Sequence, residues 1–192
     1  ATETDTNGAV RALAVSPDGN VYAGGEFSLI GGTGIGNAIG RWDGFRWNSL
    51  RTGLEGPVLA IAILGPDVFV GGNFAGNAGS PLGNVARWNG TDWSSMGLGA
   101  SGPVLALTAA GTSIFAGGSF DTMVGASPAT ARVARWDGSA WQPFGNGITG
   151  TYDEVRAIAV AGPDVYAGGI FALDAADGSE ARNIAHYDGT AW

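Results

Sequence analysis

One histidine, no cysteine and no lysine in 192 residues leave carboxylates as the side chains with the widest scope for chemistry. His186 could act as a base in a Ser-His-Asp set, but no nucleophile-elbow motif accompanies it. A lone histidine without cysteine cannot assemble a His- or Cys-rich copper or zinc site within this chain. The absence of lysine removes Schiff-base chemistry, and the absence of cysteine removes disulfides, thiolates and redox chemistry. Glycoside hydrolysis needs only two carboxylates at a suitable separation, yet no acid pair stands out. Asp174, Asp177 and Glu180 form the one acidic loop with spaced oxygens, a weak calcium candidate that lacks the spacing of an EF-hand. A solvated loop is the simpler reading there, and no other cofactor is expected. Gly31 to Gly36 looks like a phosphate loop, but it opens no helix and carries no lysine, so it reads as a flexible loop.

Charge narrows the partners. The formal net charge is −8 with no basic run, which disfavours nucleic acid and anionic membrane surfaces, both of which need counter-charges. The longest apolar stretch, from Val58 to Leu64, is far shorter than the ~20 residues that span a bilayer. Acidity favours solubility, and an extracellular or cell-surface location is expected. The chain opens on Ala1 rather than methionine, which suggests processing or excision from something longer.

The residues that must position any site fall into four copies of one unit. Glycine pairs lie at Gly24-Gly25, Gly71-Gly72, Gly117-Gly118 and Gly168-Gly169, each followed by Phe27, Phe74, Phe120 or Phe171 two positions later. An aromatic then precedes an acid or amide and a glycine: Trp42-Asp43-Gly44, Trp88-Asn89-Gly90, Trp136-Asp137-Gly138 and Tyr187-Asp188-Gly189. Three residues on stands Trp47, Trp93, Trp141 or Trp192, so all 7 tryptophans occupy two repeat positions. Periodicity of this length outranks local propensity.

Each unit reads as four short strands. The first is an apolar run, at 10–15, 58–63, 104–108 and 155–160, with the weak alternation of a strand buried on both faces. The second ends in the glycine pair, the third in the first tryptophan, and the fourth carries the second tryptophan. Asp-Gly or Asn-Gly between the last two reads as a hairpin of type I′. Four-stranded units repeated at this interval predict an all-β propeller, with blades over about 10–50, 58–96, 104–144 and 155–192 in a single domain or propeller segment. Residues 1–6 could complete the last blade. Four-bladed rings are scarce and an open propeller leaves two apolar faces bare, so a larger ring is expected.

A second strand closed by a glycine pair, then an aromatic-acid dipeptide and a tryptophan, resembles the kelch repeat. The Gly-Gly-x-Phe and Arg-Trp-Asp-Gly-x-x-Trp variant more closely resembles kelch-like repeats of bacterial and fungal cell-surface proteins. The likeness runs from Val10 to Trp192. It implies a propeller fold, is loose for function and assigns no site residue, because Trp42, Trp47, Trp88, Trp93, Trp136, Trp141, Tyr187 and Trp192 are structural positions.

Antiparallel strands send the connections between strands two and three, and from each blade to the next, to one face. Those at 28–36, 75–83, 121–131 and 172–181 are long and differ in composition, whereas the opposite turns are short and uniform. Recognition is therefore expected on the long-loop face, with Asp121, Tyr152, Asp174 and Asp177 as candidates. The expected function is non-catalytic binding of a protein partner, adhesion or self-association. Glycan binding is the alternative, weakened because only Tyr152 and Phe45 are aromatics outside the repeat positions.

Overall fold

Runs of Val, Ile, Leu and Ala broken by glycine turns fold as strands throughout the computed structural model, which describes residues 5–31, 34–77, 80–124, 131–148, 153–174 and 180–192. The first repeat contains β1 (Val10–Val15), β2 (Val21–Gly25), β3 (Leu29–Ile30), β4 (Gly34–Ile35), β5 (Ile39–Trp42) and β6 (Trp47–Ser49). The second contains β7 (Val58–Leu64), β8 (Asp67–Gly72), β9 (Gly76–Asn77), β10 (Ser80–Pro81), β11 (Val85–Trp88) and β12 (Trp93–Ser95). The third contains β13 (Val104–Ala110), β14 (Ser113–Gly118), β15 (Val133–Trp136) and β16 (Trp141–Pro143), and the last β17 (Glu154–Ala161), β18 (Asp164–Asp174) and β19 (Glu180–Tyr187).

Each repeat is one antiparallel meander. The orders are β1-β2-β5-β6, β7-β8-β11-β12, β13-β14-β15-β16 and β17-β18-β19. The fourth sheet therefore has three strands, although the turn after β19 forms, with Asp188 N–H donating to the Ala191 carbonyl at 3.2 Å. Asp5 and Thr6 pair with Gly31 and Ile30 of the first blade, the phase that Gly99 and Ala100 take beside Val124 and Met123 in the third. Gly31 to Gly36 is not simply a loop: β3 and β4 pair there as a two-residue ladder.

A bulge recurs at the same place in every first strand. The register slips between Val10 and Ala12, Val58 and Ala60, Val104 and Ala106, and Val155 and Ala157. Residues two apart normally share a strand face, and one extra residue shifts that to three. Val58 and Ile61 consequently point together at the preceding blade, where Gly24 receives them. A Cβ on Gly24 would stand 2.4 Å from Val58 Cγ1 and 3.1 Å from Ile61 Cδ1. Gly71 receives Val104 and Leu107, and Gly117 receives Val155 and Ile158, in the same way. The second glycine of each pair serves its own blade: a Cβ there would lie 2.0–2.1 Å from the carbonyl of Ala9, Pro57, Pro103 or Glu154. Close backbone approach thus explains the second glycine. The first, in the first three blades, accommodates aliphatic knobs from the next blade.

The core consequently lies between blades. Tyr22, Ile39 and Leu50 of the first meet Val58, Val70 and Phe74 of the second. Phe69, Val85 and Met96 meet Val104, Ile114 and Phe120, and Val133 and Ile148 meet Val155 and Phe171. Trp88 and Trp141 are buried in these layers and Trp93, Trp136 and Trp192 pack against them, tilted in pairs such as Trp88–Trp93 at 5.2 Å. Each later tryptophan ties its blade to the one before. The indole N–H of Trp93 donates to Leu50 O at 3.1 Å, Trp141 to Met96 O at 2.9 Å and Trp192 to Phe144 O at 3.1 Å.

The Asp-Gly turns differ from a two-residue type I′ hairpin. Trp42 and Trp47 are the last full pair, and a single further bond, from Asp43 N–H to the Arg46 carbonyl at 3.2 Å, narrows the four residues beyond them to a tip at Gly44 and Phe45. Asp43 Oδ1 accepts from the N–H groups of Phe45 and Arg46, both at 3.0 Å, and Gly44 supplies the positive φ of 94°. The aspartate is a side-chain acceptor opening the turn, a role that Asn89, Asp137 and Asp188 repeat. True two-residue turns occur on the other hairpin, where Gly65-Pro66 and Gly162-Pro163 place a positive-φ glycine first, as type II′ requires.

Those acceptor bonds hold the charged form of the aspartates. Donation from Arg46 and Phe45 N–H lowers Asp43 to about 2. The Thr190 hydroxyl, then the Ala191 and Thr190 N–H groups, lower Asp188 to about 2. A carboxylate depressed on folding stabilises the fold above its unfolded value near 3.9, and that contribution is lost as pH falls through the folded value. Melting temperature is expected to stay level down to about pH 5 and to fall between about pH 4 and pH 2. The Asp43→Asn/Asp188→Asn variant should show a shallower fall, because Asn89 already does this work uncharged. Equal slopes for the two proteins would contradict the assignment.

Candidate functional site

The long-loop face is built on one backbone device. Ala38, Asn84 and Arg132, each just before the third meander strand, and Asn183 at the same repeat position within β19, have φ between 64° and 68°. In the first three blades its carbonyl accepts from the second glycine of the pair, and its N–H donates to the carbonyl of Phe27, Phe74 or Phe120. Reversing the chain there throws each side chain toward the connection entering the next blade.

What that side chain is decides the shape of the face. Asn84 Nδ2 donates to Ala100 O at 3.1 Å, while its Oδ1 accepts from Phe74 N–H. Arg132 reaches further, donating from Nε to Asp153 O at 2.7 Å and from Nη1 to Phe120 O at 3.0 Å. Both close the seam between their blade and the next. Ala38 has no polar atom to donate; the adjacent Asn37 bridges instead, its Nδ2 donating to Thr52 O at 2.6 Å, and a cavity of about 460 Å³ stands beside it. Phe27, Ala38, Leu54 and Pro57 give it an apolar floor, and Asn7 and Glu26 line it with polar atoms. Glu26 is half exposed and paired with Arg11 at 2.9 Å. Mostly apolar clefts of this size with a few placed polar groups are the usual form of a binding site.

The structure separates the residues expected to bind. Asp121 is exposed on the long-loop face, but its carboxylate is engaged by Arg132. The main chain of Asp174 pairs with Glu180 across β18 and β19. Tyr152 and Asp177 lie outside the described residues. Among the described residues no group of three metal-ligating side chains comes together. Phe45 is 86% exposed at the tip of the Asp43 turn on the opposite face. Asp153 is buried beside the Arg132 seam.

His186 keeps its repeat role. Its Nε2 lies 2.7 Å from Asp164 Oδ1, as Arg87 meets Asp67 at 2.8 Å in the second blade. The Tyr166 ring stacks on it at 4.7 Å. The Ala38 cleft was not read from the sequence. Its only trace there is a small residue at a position that holds Asn, Arg and Asn in the other three copies.

No family model and no curated protein matches the chain. Among solved structures it is similar to the computationally designed Ika4 protein, with 20% identity over 97% of this chain and 94% of that one, at a TM-score of 0.59. It is similar to YCF48, in a structure bound to a peptide, with 12% identity over 86% of this chain and 50% of that one, at 0.54. A third likeness is to the extracellular domain of the putative one component system BT4673 from B. thetaiotaomicron, with 11% identity over 90% and 22% of the two chains, at 0.55. At such identities the likeness concerns the fold. The chain is an all-β, propeller-type stack of antiparallel blades.

Proposed function

We propose that this chain is a kelch-like, non-catalytic module, working outside the cell or at its surface, that binds a protein partner on its long-loop face. The observation that carries the reading is the cleft beside Ala38. It stands where the repeat position that reaches across to the next connection in the second and third blades, as Asn84 and Arg132, holds only a methyl group, and its apolar floor suits one partner side chain. The net charge of −8 and Glu26 at the rim favour a neutral or basic peptide segment over an acidic one. The acidic, lysine-free composition supports an extracellular setting. His186 stands in a cross-strand pair of the repeat, which supports a structural role for the one histidine.

Ala38→Asn separates binding from folding. Asparagine tolerates the left-handed φ of 68° better than alanine, and the Leu54 carbonyl stands where Ala100 serves Asn84. The variant should melt about 2 °C higher, a gain near 1 kcal/mol. The probe is a phage-displayed library of random peptides selected on the wild-type chain, followed by titration of synthetic copies of the enriched sequences. Binding to Ala38→Asn should weaken by about tenfold or more, in step with a filled cleft. A library that yields no enriched sequence, or peptides that bind both proteins equally, would overturn the reading.

A further inference from the structure

The repeat interface is present three times as a filled contact and once as two unfilled halves. Within the chain, Val58 and Ile61 fill the notch at Gly24, Val104 and Leu107 that at Gly71, and Val155 and Ile158 that at Gly117. The bulge in β1 gives the first blade the same pair, Val10 and Leu13, and no described residue receives them. Val10 is 43% exposed and Leu13 66%, whereas Val58, Val104 and Val155 are all at 0%.

The fourth blade shows the matching vacancy. A Cβ on Gly168 would meet nothing nearer than Asn183 O at 3.8 Å and Ala157 Cβ at 3.9 Å. Around it stand Tyr166, 41% exposed where Phe69 is 4%, and Ile184, 67% exposed where Val85 is 0%. First strands pack in chain order, β1 on β7, β7 on β13 and β13 on β17. The two end faces therefore carry the knob and the notch of one and the same contact, in the same register, at opposite ends of the stack.

We propose that a second copy of this chain covers these faces, with Val10 and Leu13 of each copy seated at Gly168, Tyr166 and Ile184 of the other. Two junctions of this kind join two four-blade stacks into an eight-bladed ring, inside the usual range of about four to eight blades. A head-to-tail contact that closes leaves no bare end, whereas one that does not close grows into a filament. The occupant follows from continuity. Each filled notch takes the first strand of a repeat, and among the described residues β1 is the one such strand left unfilled. This contact lies on the end faces, so it stands or falls separately from peptide binding at the Ala38 cleft.

Light scattering coupled to size exclusion, over a dilution series of the 192-residue chain, tests it. The expected mass is twice the 19.3 kDa of one chain, falling toward one chain on dilution. Leu13→Asp places a charge on the knob, and Gly168→Ala puts a methyl where the knob must sit. Each should raise the dimer dissociation constant by about tenfold or more. Both sites are unpacked in the single chain, so circular dichroism and melting of the dissociated variants should match those of the dissociated wild type. A folded wild type that stays monomeric at high concentration would overturn the proposal and leave the faces to other blades. So would a dimer indifferent to both substitutions, or polymers that lengthen with concentration.

Discussion

Trp141→Ala should lower the stability of the chain by about 4 kcal/mol, the usual cost of emptying a buried aromatic site. Trp141 is 6% exposed. It packs at 5.4 Å against Trp136 and sends its indole N–H across to Met96 O in the preceding blade at 2.9 Å. Removal opens a cavity in the layer between the second and third blades and strips a buried carbonyl of its donor, and both effects act at one seam. For a chain of this length the melting temperature should fall by about 10 °C. Trp141→Phe keeps most of the ring and loses the hydrogen bond, so it should cost about 1–2 kcal/mol. Phe45→Ala, at an exposed turn, should stay within about 0.5 kcal/mol of the parent. Urea unfolding followed by far-ultraviolet circular dichroism measures all three. A Trp141→Ala protein as stable as Phe45→Ala would show that the tryptophan does not join the blades.

Gly71→Ala is the second large effect, and here an added atom does the damage. Its Cβ would lie 2.5 Å from Val104 Cγ1 and 3.0 Å from Val104 Cβ. Valine is stiff about χ1, and these atoms sit close to the backbone of β13, so relief requires the third blade to move away from the second. Overpacking of this kind costs about 2–3 kcal/mol. In a stack where each repeat touches only its neighbours, that loss falls on one seam and weakens the cooperation between the halves on either side of it.

Much of this architecture is legible in the residues. Gly-Gly-x-Phe marks the end of the second strand in the first three blades, and an aromatic followed by Asp or Asn, Gly and then Trp marks the end of the third in all four, because a glycine notch and a large aromatic are demanded at fixed distances from the neighbouring sheet; in the fourth blade β18 runs on past the pair to Asp174. The first strands also fall where their apolar runs predict. The bulge within them is invisible in composition: Val58 to Leu64 reads as an unbroken run, and only the pairing with β8 shows which residue is extra. That bulge decides which side chains become knobs, so the purpose of the first glycine could not be read either. Asp43-Gly44 suggests those two residues at the tip of the hairpin, but the aspartate side chain takes the Phe45 and Arg46 N–H groups and so opens the turn, which places Gly44 and Phe45 at the tip instead.

The candidate site was less legible than the fold. Asp121 draws notice as an exposed acid, but its carboxylate is held by Arg132, a residue that serves the seam. The cleft arises instead from Ala38, whose importance lies in what it lacks beside Asn84 and Arg132. A missing side chain carries no chemical signature in one copy. It becomes visible only when the same position is superposed across blades. The unfilled end faces are similar: Leu13 and Ile184 look like ordinary core residues in the sequence, and only the stack shows that nothing covers them.

The account depends on one blade-to-blade contact repeated three times within the chain, with its fourth notch vacant. Urea unfolding of Gly24→Ala, Gly71→Ala, Gly117→Ala and Gly168→Ala, all in the Leu13→Asp background so that each chain is alone, tests it most directly. The first three should each lose about 2 kcal/mol or more, and Gly168→Ala should stay within about 0.5 kcal/mol of its parent. Equal losses at all four positions, or no loss at the three internal ones, would contradict it.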